Sequence, residues 1–433
     1  MKKKVLIIIR EFIPYSLSIG SCMRVIKMAE FFAQNGMEVF ILSGKGQKIS
    51  YFGYENLINK VKVIYVPDTL IFYLTSMYKS LHETKFNTSD TKKANVVKRF
   101  IANFMKYFQG FVNEIFVPDV FVCTNHSYYK KTSEIIENEK IKNVIISSPN
   151  HSIQLVGLLL KKKYGDKINL IVDYRDSWNG TGIFKKKLYP FQLINEYLEK
   201  KVLKNMDYFT YAVPLILKKI NEKYFDITKK SLLVMNGYDE NINVSGNFNK
   251  DNKNDVLTIG HFGSISDNPY NNFRNPELFF KALLKFNRKI KLCFYGSVTI
   301  SKKWQDKMND ILEIGENLSH TEALKMMQKM DVLLVVHSKI DGGDEVIPAK
   351  FFEYILVEKP ILLVGPNNIE IGKMIKKDGL GYVMDIYSEQ DMLNKTDIIY
   401  RYWETDKLVK YNKENFKKYS RQKQYKKILE ILI

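Results

Sequence analysis

Asp341–Gly365, DGGDEVIPAKFFEYILVEKPILLVG, is the stretch whose reading decides the fold. The apolar run DVLLVVH (Asp331 to His337) precedes it and is short enough for a buried parallel strand. A loop follows, and its Gly342–Gly343 pair admits backbone angles closed to other residues. Pro348 reads as the first residue of a helix, where its missing N–H is harmless. That helix closes before Pro360, and ILLVG reads as the next parallel strand. In open α/β sheets, ligands sit beyond the carboxyl ends of the strands, where helix N-termini point. Lys350, in the first helical turn, adds a cation to the free N–H groups there, a combination that holds phosphate well.

Glu345 stands on the loop, and Glu353 follows eight positions later, about one and a half turns into the helix. This arrangement allows one carboxylate to grip a sugar hydroxyl and the other a ribose hydroxyl, with Lys350 between them on a diphosphate. Spacing alone favours a plainer alternative, a Lys350–Glu353 surface pair beside a solvated acidic loop, because i,i+3 charge pairs are common. The pattern of Glu, seven residues, then Glu, ending in P-x-K-x-x-E-Y, resembles the signature of GT-B glycosyltransferases of the large nucleotide-sugar-using family 4. Glu345, Pro348, Lys350, Glu353 and Tyr354 match it. The commonest form carries Gly-Phe-Gly after the first Glu, where this chain has Val346–Ile347.

The resemblance implies a fold of two Rossmann-like, doubly wound parallel sheets facing a cleft, with a C-terminal helix crossing back to the first domain. It implies that Glu345 contacts the donor sugar, that Glu353 holds the nucleotide ribose, and that transfer retains anomeric configuration. Further donor contacts are expected at Gly263, Ser264, Pro348 and Ala349. Arg274, just ahead of a helix start at Pro276, matches the basic residue placed on the donor phosphates; the sequence equally admits an ordinary surface Arg. The expected catalytic set is Glu345, Lys350 and Arg274. No Asp-x-Asp pair occurs at a strand end, so no metal is expected to bridge the diphosphate, and no cofactor beyond the donor nucleotide sugar.

The same alternation of strand and helix runs through the rest of the chain. VLIIIR, a helix after Gly20–Ser21, and MEVFILSG form a βαβ unit, with Gly36 stopping the helix. Gly20 and Ser21 allow close approach of an acceptor or diphosphate, or make a plain strand–helix turn. NVIISSPNHS places Asn150, His151 and Ser152 at a strand's carboxyl end. A capping role for Ser152 and a surface role for His151 are favoured over chemistry. LIVDYRDSWNG ends a buried strand in Asp173, Arg175, Asp176 and Trp178. An Arg flanked by two Asp reads as an ion-pair network. D-x-R-D-x-W also resembles a cleft motif in the branch of the family that builds bacterial surface polysaccharides, which implies acceptor or diphosphate contact for Arg175 and Asp176. VLTIGHFGS begins the second sheet, and its Gly260–Gly263 spacing permits close approach of a diphosphate.

Domain limits follow from these elements. The Asn-rich stretch 237–255 reads as a linker, and the resemblance implies an acceptor-binding domain over 1–236, a nucleotide-sugar-binding domain over 256–402 and the crossing helix over 403–433.

The composition is globular, 45% hydrophobic and 26% charged over 433 residues, with no apolar run long enough to span a bilayer. KKKVLIIIR lacks a cleavage site and reads as a strand, and Cys22, Cys123 and Cys293 stand apart, which suits a reducing cytoplasm. The net charge of +20 admits nucleic acid, an anionic membrane or an anionic substrate as partner. No nucleic-acid motif is present. An insertion over about 73–116 mixes Lys and Arg with aromatics, and VVKRFIANFMKYFQGF reads either as an amphipathic helix for a headgroup region or as a core helix with a solvated face. Taken with this composition, the resemblance implies a cytoplasmic transferase, peripheral on the membrane's inner face, moving sugar onto a glycan or lipid-linked acceptor. The alternatives are a nucleotide-sugar epimerase on the same fold and a basic nucleic-acid-binding protein.

Overall fold

A computed structural model describes residues 2–16, 19–46, 60–67, 110–179, 186–242, 254–268, 274–338 and 343–433. Its core is two all-parallel sheets. The first contains β1 (Lys4–Ile9), β2 (Glu38–Lys45), β3 (Lys62–Pro67), β4 (Asn143–Ser148), β5 (Asn169–Tyr174), β6 (Tyr208–Tyr211) and β7 (Ser231–Leu233). Their spatial order is β3-β2-β1-β4-β5-β6-β7, so the strand order reverses beside β1 and β4, the crevice where doubly wound sheets bind ligands. The second contains β8 (Leu257–Phe262), β10 (Ile290–Tyr295), β12 (Leu312–Ile314), β13 (Val332–Val336), β14 (Ile361–Gly365) and β15 (Gly381–Asp385), ordered β12-β10-β8-β13-β14-β15. A two-stranded ribbon, β9 (Ile265–Ser266) with β11 (Val298–Thr299), sits at its rim.

The apolar runs are continuous because these strands are covered on both faces. In β1, Val5, Ile7 and Ile9 pack against Val25, Ala29 and Phe32 of α1 (Ile19–Gln34), while Leu6 and Ile8 face α2 (Asn125–Glu139) and α3 (Gln154–Tyr164). The same first face receives Tyr425, Ile428 and Leu432 from the chain's end, so α12 (Arg421–Glu430) completes the core of the N-terminal lobe. The apolar stripe of the tail is thus packing. The tail differs from one long helix: a 3-10 stretch over Lys413–Tyr419 precedes α12, and Ser420 caps α12 by accepting from the Lys423 N–H.

The remaining helices alternate with strands: α4 (Phe191–Asn205), α5 (Pro214–Lys223), α6 (Glu277–Leu283), α7 (Lys302–Lys307), α8 (His320–Lys329), α9 (Ala349–Leu356), α10 (Glu370–Asp378) and α11 (Glu389–Glu404). The capping box expected at Ser319–Glu322 starts α8. Pro348 is the cap of α9 rather than its first helical residue; its ψ of 142° is extended, and it adds no side-chain hydrogen bond. The helix therefore opens at Ala349 with its first N–H groups uncapped by a side chain.

Among the described residues, the outgoing and returning segments that link the lobes meet at Tyr238 and Ser420. Tyr238 N–H donates to Tyr419 O at 3.2 Å and Arg421 N–H to Tyr238 O at 2.8 Å, making a parallel bridge between the outgoing and returning strands. A Cβ on Gly237 would lie 2.5 Å from Tyr419 O and 2.7 Å from Arg421 N, so only glycine lets the two crossings touch. Most of the expected linker, and most of the basic 73–116 insertion, lies outside the described residues.

Candidate functional site

The carboxyl edge of the second sheet is held by Tyr354, fully buried on α9. Its hydroxyl accepts from Phe262 N–H at 3.0 Å and lies 3.3 Å from Leu334 O, fixing α9 against β8 and β13. The next turn of the backbone is Gly263, at φ +153°, beyond the reach of ordinary side-chain-bearing residues. A Cβ built there would sit 3.7 Å from His261 Nε2 and 4.0 Å from Lys350 Cγ, so the face of Gly263 opens between those two side chains. Arg274 reaches the same corner and donates to the Ser264 hydroxyl through Nη1. Gly260 has a different role: it lies within β8, where a Cβ would meet Met330 Cγ at 2.4 Å. Its bare backbone makes room for Met330, not for a diphosphate.

Glu353 lies one turn beyond Lys350 on α9. Lys350 Nζ is 2.7 Å from Oε2, and His320 Nε2, at the start of α8, is 3.2 Å from Oε1. Burial works to raise the Glu353 carboxyl, but the His320 hydrogen bond and the Lys350 ammonium outweigh it and hold it down to about 2. Glu353 is therefore a permanent acceptor, suited to neighbouring hydroxyl donors. The i,i+3 pair that spacing alone would place on the open surface sits instead in a half-buried corner beside Gly263.

Glu345 occupies a 3-10 turn, Gly343–Glu345, and is buried at 3% exposure. Its partners come from the other lobe. Lys219 Nζ on α5 is 2.6 Å from Oε1, and the Ser177 hydroxyl, just after β5, donates to Oε2. Lys219 also stands 3.3 Å from Asp344 Oδ1. Burial pushes the Glu345 carboxyl up despite both partners. Thus Lys350, Glu353, Gly263, Ser264 and Arg274 gather at one corner, with Pro348 and Ala349 opening the helix above it, while Glu345 meets the first lobe.

On that lobe, Asp173 turns into the sheet. It accepts from Arg24 at 2.7 and 3.0 Å and from the Ser147 and Thr210 hydroxyls, each at 2.7 Å. The ion-pair network read from D-x-R-D thus forms with Arg24 of α1, not Arg175. Arg175 donates to the carbonyls of Ser148 and Pro149 at 3.2 and 2.6 Å, bracing the β4 loop, and burial raises the Asp176 carboxyl. His151 is not a surface residue. It is 3% exposed, stacks on Trp178 with centroids 5.4 Å apart, and meets Ser148 Oγ at 3.0 Å. Ser152 does not cap α3; its hydroxyl donates to Asp119 at 2.6 Å. Gly20 and Ser21 fall inside the first turn of α1.

Burial holds His151 at about 3, and His261 and His337 each at about 4, against 6.5 for the free side chain. A base depressed on folding contributes stability above its unfolded value, and that stability is lost as pH falls below it. Each histidine should cost up to about 1.4 kcal/mol per pH unit between 6.5 and its folded value. We therefore expect denaturant stability to fall from pH 7 to pH 5, with His337→Asn flattening the slope; a flat wild-type profile would count against the burial of these rings.

Sequence reading passed over Arg24, Ser177, Lys219, His261 and His320. His261 and Ser177 lie inside the quoted motifs and were within reach. Arg24, Lys219 and His320 act through contacts 33 or more residues away in sequence, which no local pattern encodes.

The two facing parallel sheets and the returning C-terminal helix define the GT-B architecture. HepE from Anabaena, solved in complex with UDP and glucose, superposes with a TM-score of 0.60 at 11% identity over 99% of each chain. The lipopolysaccharide outer core galactosyltransferase WaaB also gives 0.60 at 11%, over 99% of this chain and 98% of its own. WaaG, a glycosyltransferase involved in lipopolysaccharide biosynthesis, gives 0.56 at 10% over 99% of both chains. At these identities the likeness is one of fold. No family model matches the sequence, and no curated protein does.

Proposed function

We propose that the protein is a glycosyltransferase that moves a sugar, with retention, from a nucleotide-diphosphate sugar to a lipid-linked glycan acceptor in bacterial surface-polysaccharide synthesis. The observation that carries this reading is the corner where the Lys350–Glu353 pair, at 2.7 Å, faces the open side of Gly263 beside Arg274. Glu353, ionised at every working pH, takes the ribose hydroxyls. Lys350, Arg274 and the uncapped N–H groups of α9 take the diphosphate, neutralising the charge that develops as it departs, without a bridging metal. Glu345 addresses the donor sugar.

Residues 1–236 are assigned the acceptor and 256–402 the donor, with Gly20, Ser21, Arg175 and Asp176 proposed for the acceptor side and His151, buried against Trp178, supporting that wall from within. The co-structure of HepE with UDP and glucose supports a uridine nucleotide as first choice. No helix among the described residues is long and apolar enough to cross a membrane, and the proposed station is the anionic inner face of the plasma membrane. A thermal-shift panel of nucleoside diphosphates and their sugars tests the reading. The true donor at a hundredfold excess over its dissociation constant should add about 2.7 kcal/mol of stability. No response to any nucleotide would overturn it.

A further inference from the structure

We propose that Lys219 and Ser177, both on the first lobe, are positioning residues for Glu345, and that the clasp they form ties closure of the cleft to the orientation of that carboxylate. What Glu345 does once oriented rests on the glycosyltransferase reading; the clasp rests on geometry alone.

Both oxygens of Glu345 are met from across the cleft, Oε1 by Lys219 Nζ at 2.6 Å and Oε2 by the Ser177 hydroxyl. An ionised carboxylate has about four lone-pair sites, so these two partners fix its plane. The position of each partner is itself fixed. Lys219 projects from the middle of α5, which Pro214 starts directly after β6 and its short connection. Ser177 is buried beside Trp178, whose indole N–H donates to Asn195 Oδ1 at 2.8 Å. Neither group has to travel if the lobes are together, and neither can reach Glu345 if they part. The Tyr238–Ser420 bridge and an apolar seam join the lobes where the chain crosses, and the clasp adds a breakable polar attachment.

The titratable groups facing Glu345 are Lys219 on α5 and Asp344 on its own turn; Ser177, from the loop after β5, is neutral. Burial already raises the Glu345 carboxyl, with Lys219 and Ser177 opposing it. Removing the ammonium leaves a buried carboxyl beside Asp344 that takes up a proton more readily. A protonated Glu345 has lost part of its acceptor capacity and its reason to face the first lobe.

The test uses the full chain with Lys219→Met, Ser177→Ala, the double variant and Lys219→Arg. Small-angle scattering without ligand should show a larger radius of gyration for the double variant, with wild-type circular dichroism. An unchanged scattering profile would overturn the clasp. Turnover is read with UDP-glucose, UDP-galactose and GDP-mannose as probes. Lys219→Met should lower kcat by up to about a hundredfold with KM little changed, the scale of a misplacement of about 1 Å. Its acid limb should move up by about one pH unit or more, since an opposite charge lowers a carboxyl by that much. Lys219→Arg should restore both. A wild-type acid limb in Lys219→Met would sink the positioning role. If Glu353→Ala leaves nucleotide binding intact, the glycosyltransferase reading fails instead, and scattering still decides the clasp.

Discussion

Glu353→Ala and Lys350→Ala should each lower sugar transfer by about 10²–10³-fold while leaving the unfolding transition nearly in place. The reason lies in what each side chain leaves behind. Glu353 accepts from Lys350 and His320, and its carboxyl is held to about 2, so at neutral pH it is a fixed negative charge. Removing it frees Lys350 and His320 to solvent and deletes the acceptor proposed for the ribose. Removing Lys350 leaves Glu353 still bonded to His320, but now without the cation that offsets it beside an incoming diphosphate. Stability should change little for Lys350→Ala, whose ammonium is a third exposed, and somewhat more for Glu353→Ala, whose carboxylate is largely buried. Nucleotide affinity by calorimetry, together with turnover, checks both variants; wild-type turnover in either would remove it from the donor site.

A larger stability effect is expected on the first lobe. Asp173→Ala should cost about 3–5 kcal/mol, because it strands the Arg24 guanidinium, buried at 5% exposure, without its bidentate partner. Burial alone would raise the Asp173 carboxyl, but Arg24, Thr210 and Ser147 hold it below the usual value. A carboxyl depressed on folding contributes stability above its unfolded value, and that contribution disappears as pH falls through the folded one. Replacing both partners by apolar residues, Arg24→Met with Asp173→Leu, should recover much of the loss, since no orphaned charge remains. Urea unfolding of the two variants decides the matter; equal destabilisation by both would show that shape, not charge pairing, holds this site.

The parallel architecture was legible because strands buried on both faces write themselves as unbroken apolar runs. VLIII, NVIIS, LIV, VLLVV and ILLVG all became strands where their runs lie. The i,i+3 geometry of Lys350 and Glu353 was likewise local, and α9 placed both on one face. What stayed hidden depends on tertiary approach. His151 looked like a surface residue because its neighbours Asn150 and Ser152 are polar, yet Trp178 from another loop closes over it. D-x-R-D suggested a local charge network, but Arg24 of α1 claimed Asp173 because α1 packs on the sheet that presents it. Glu345 could be placed at the strand-end loop from sequence; its partners on the opposite lobe could not, since Lys219 and Ser177 lie 126 and 168 residues away.

The close contact at Gly237 has a mechanical corollary. Two peptide strands that pass shoulder to shoulder, with no side chain wedged between them, act as a close-set pivot. The pivot lies in an apolar seam that holds Met235, Tyr238, Phe351, Phe352 and Tyr419, so widening it at Gly237 would disturb packed side chains of both lobes at once.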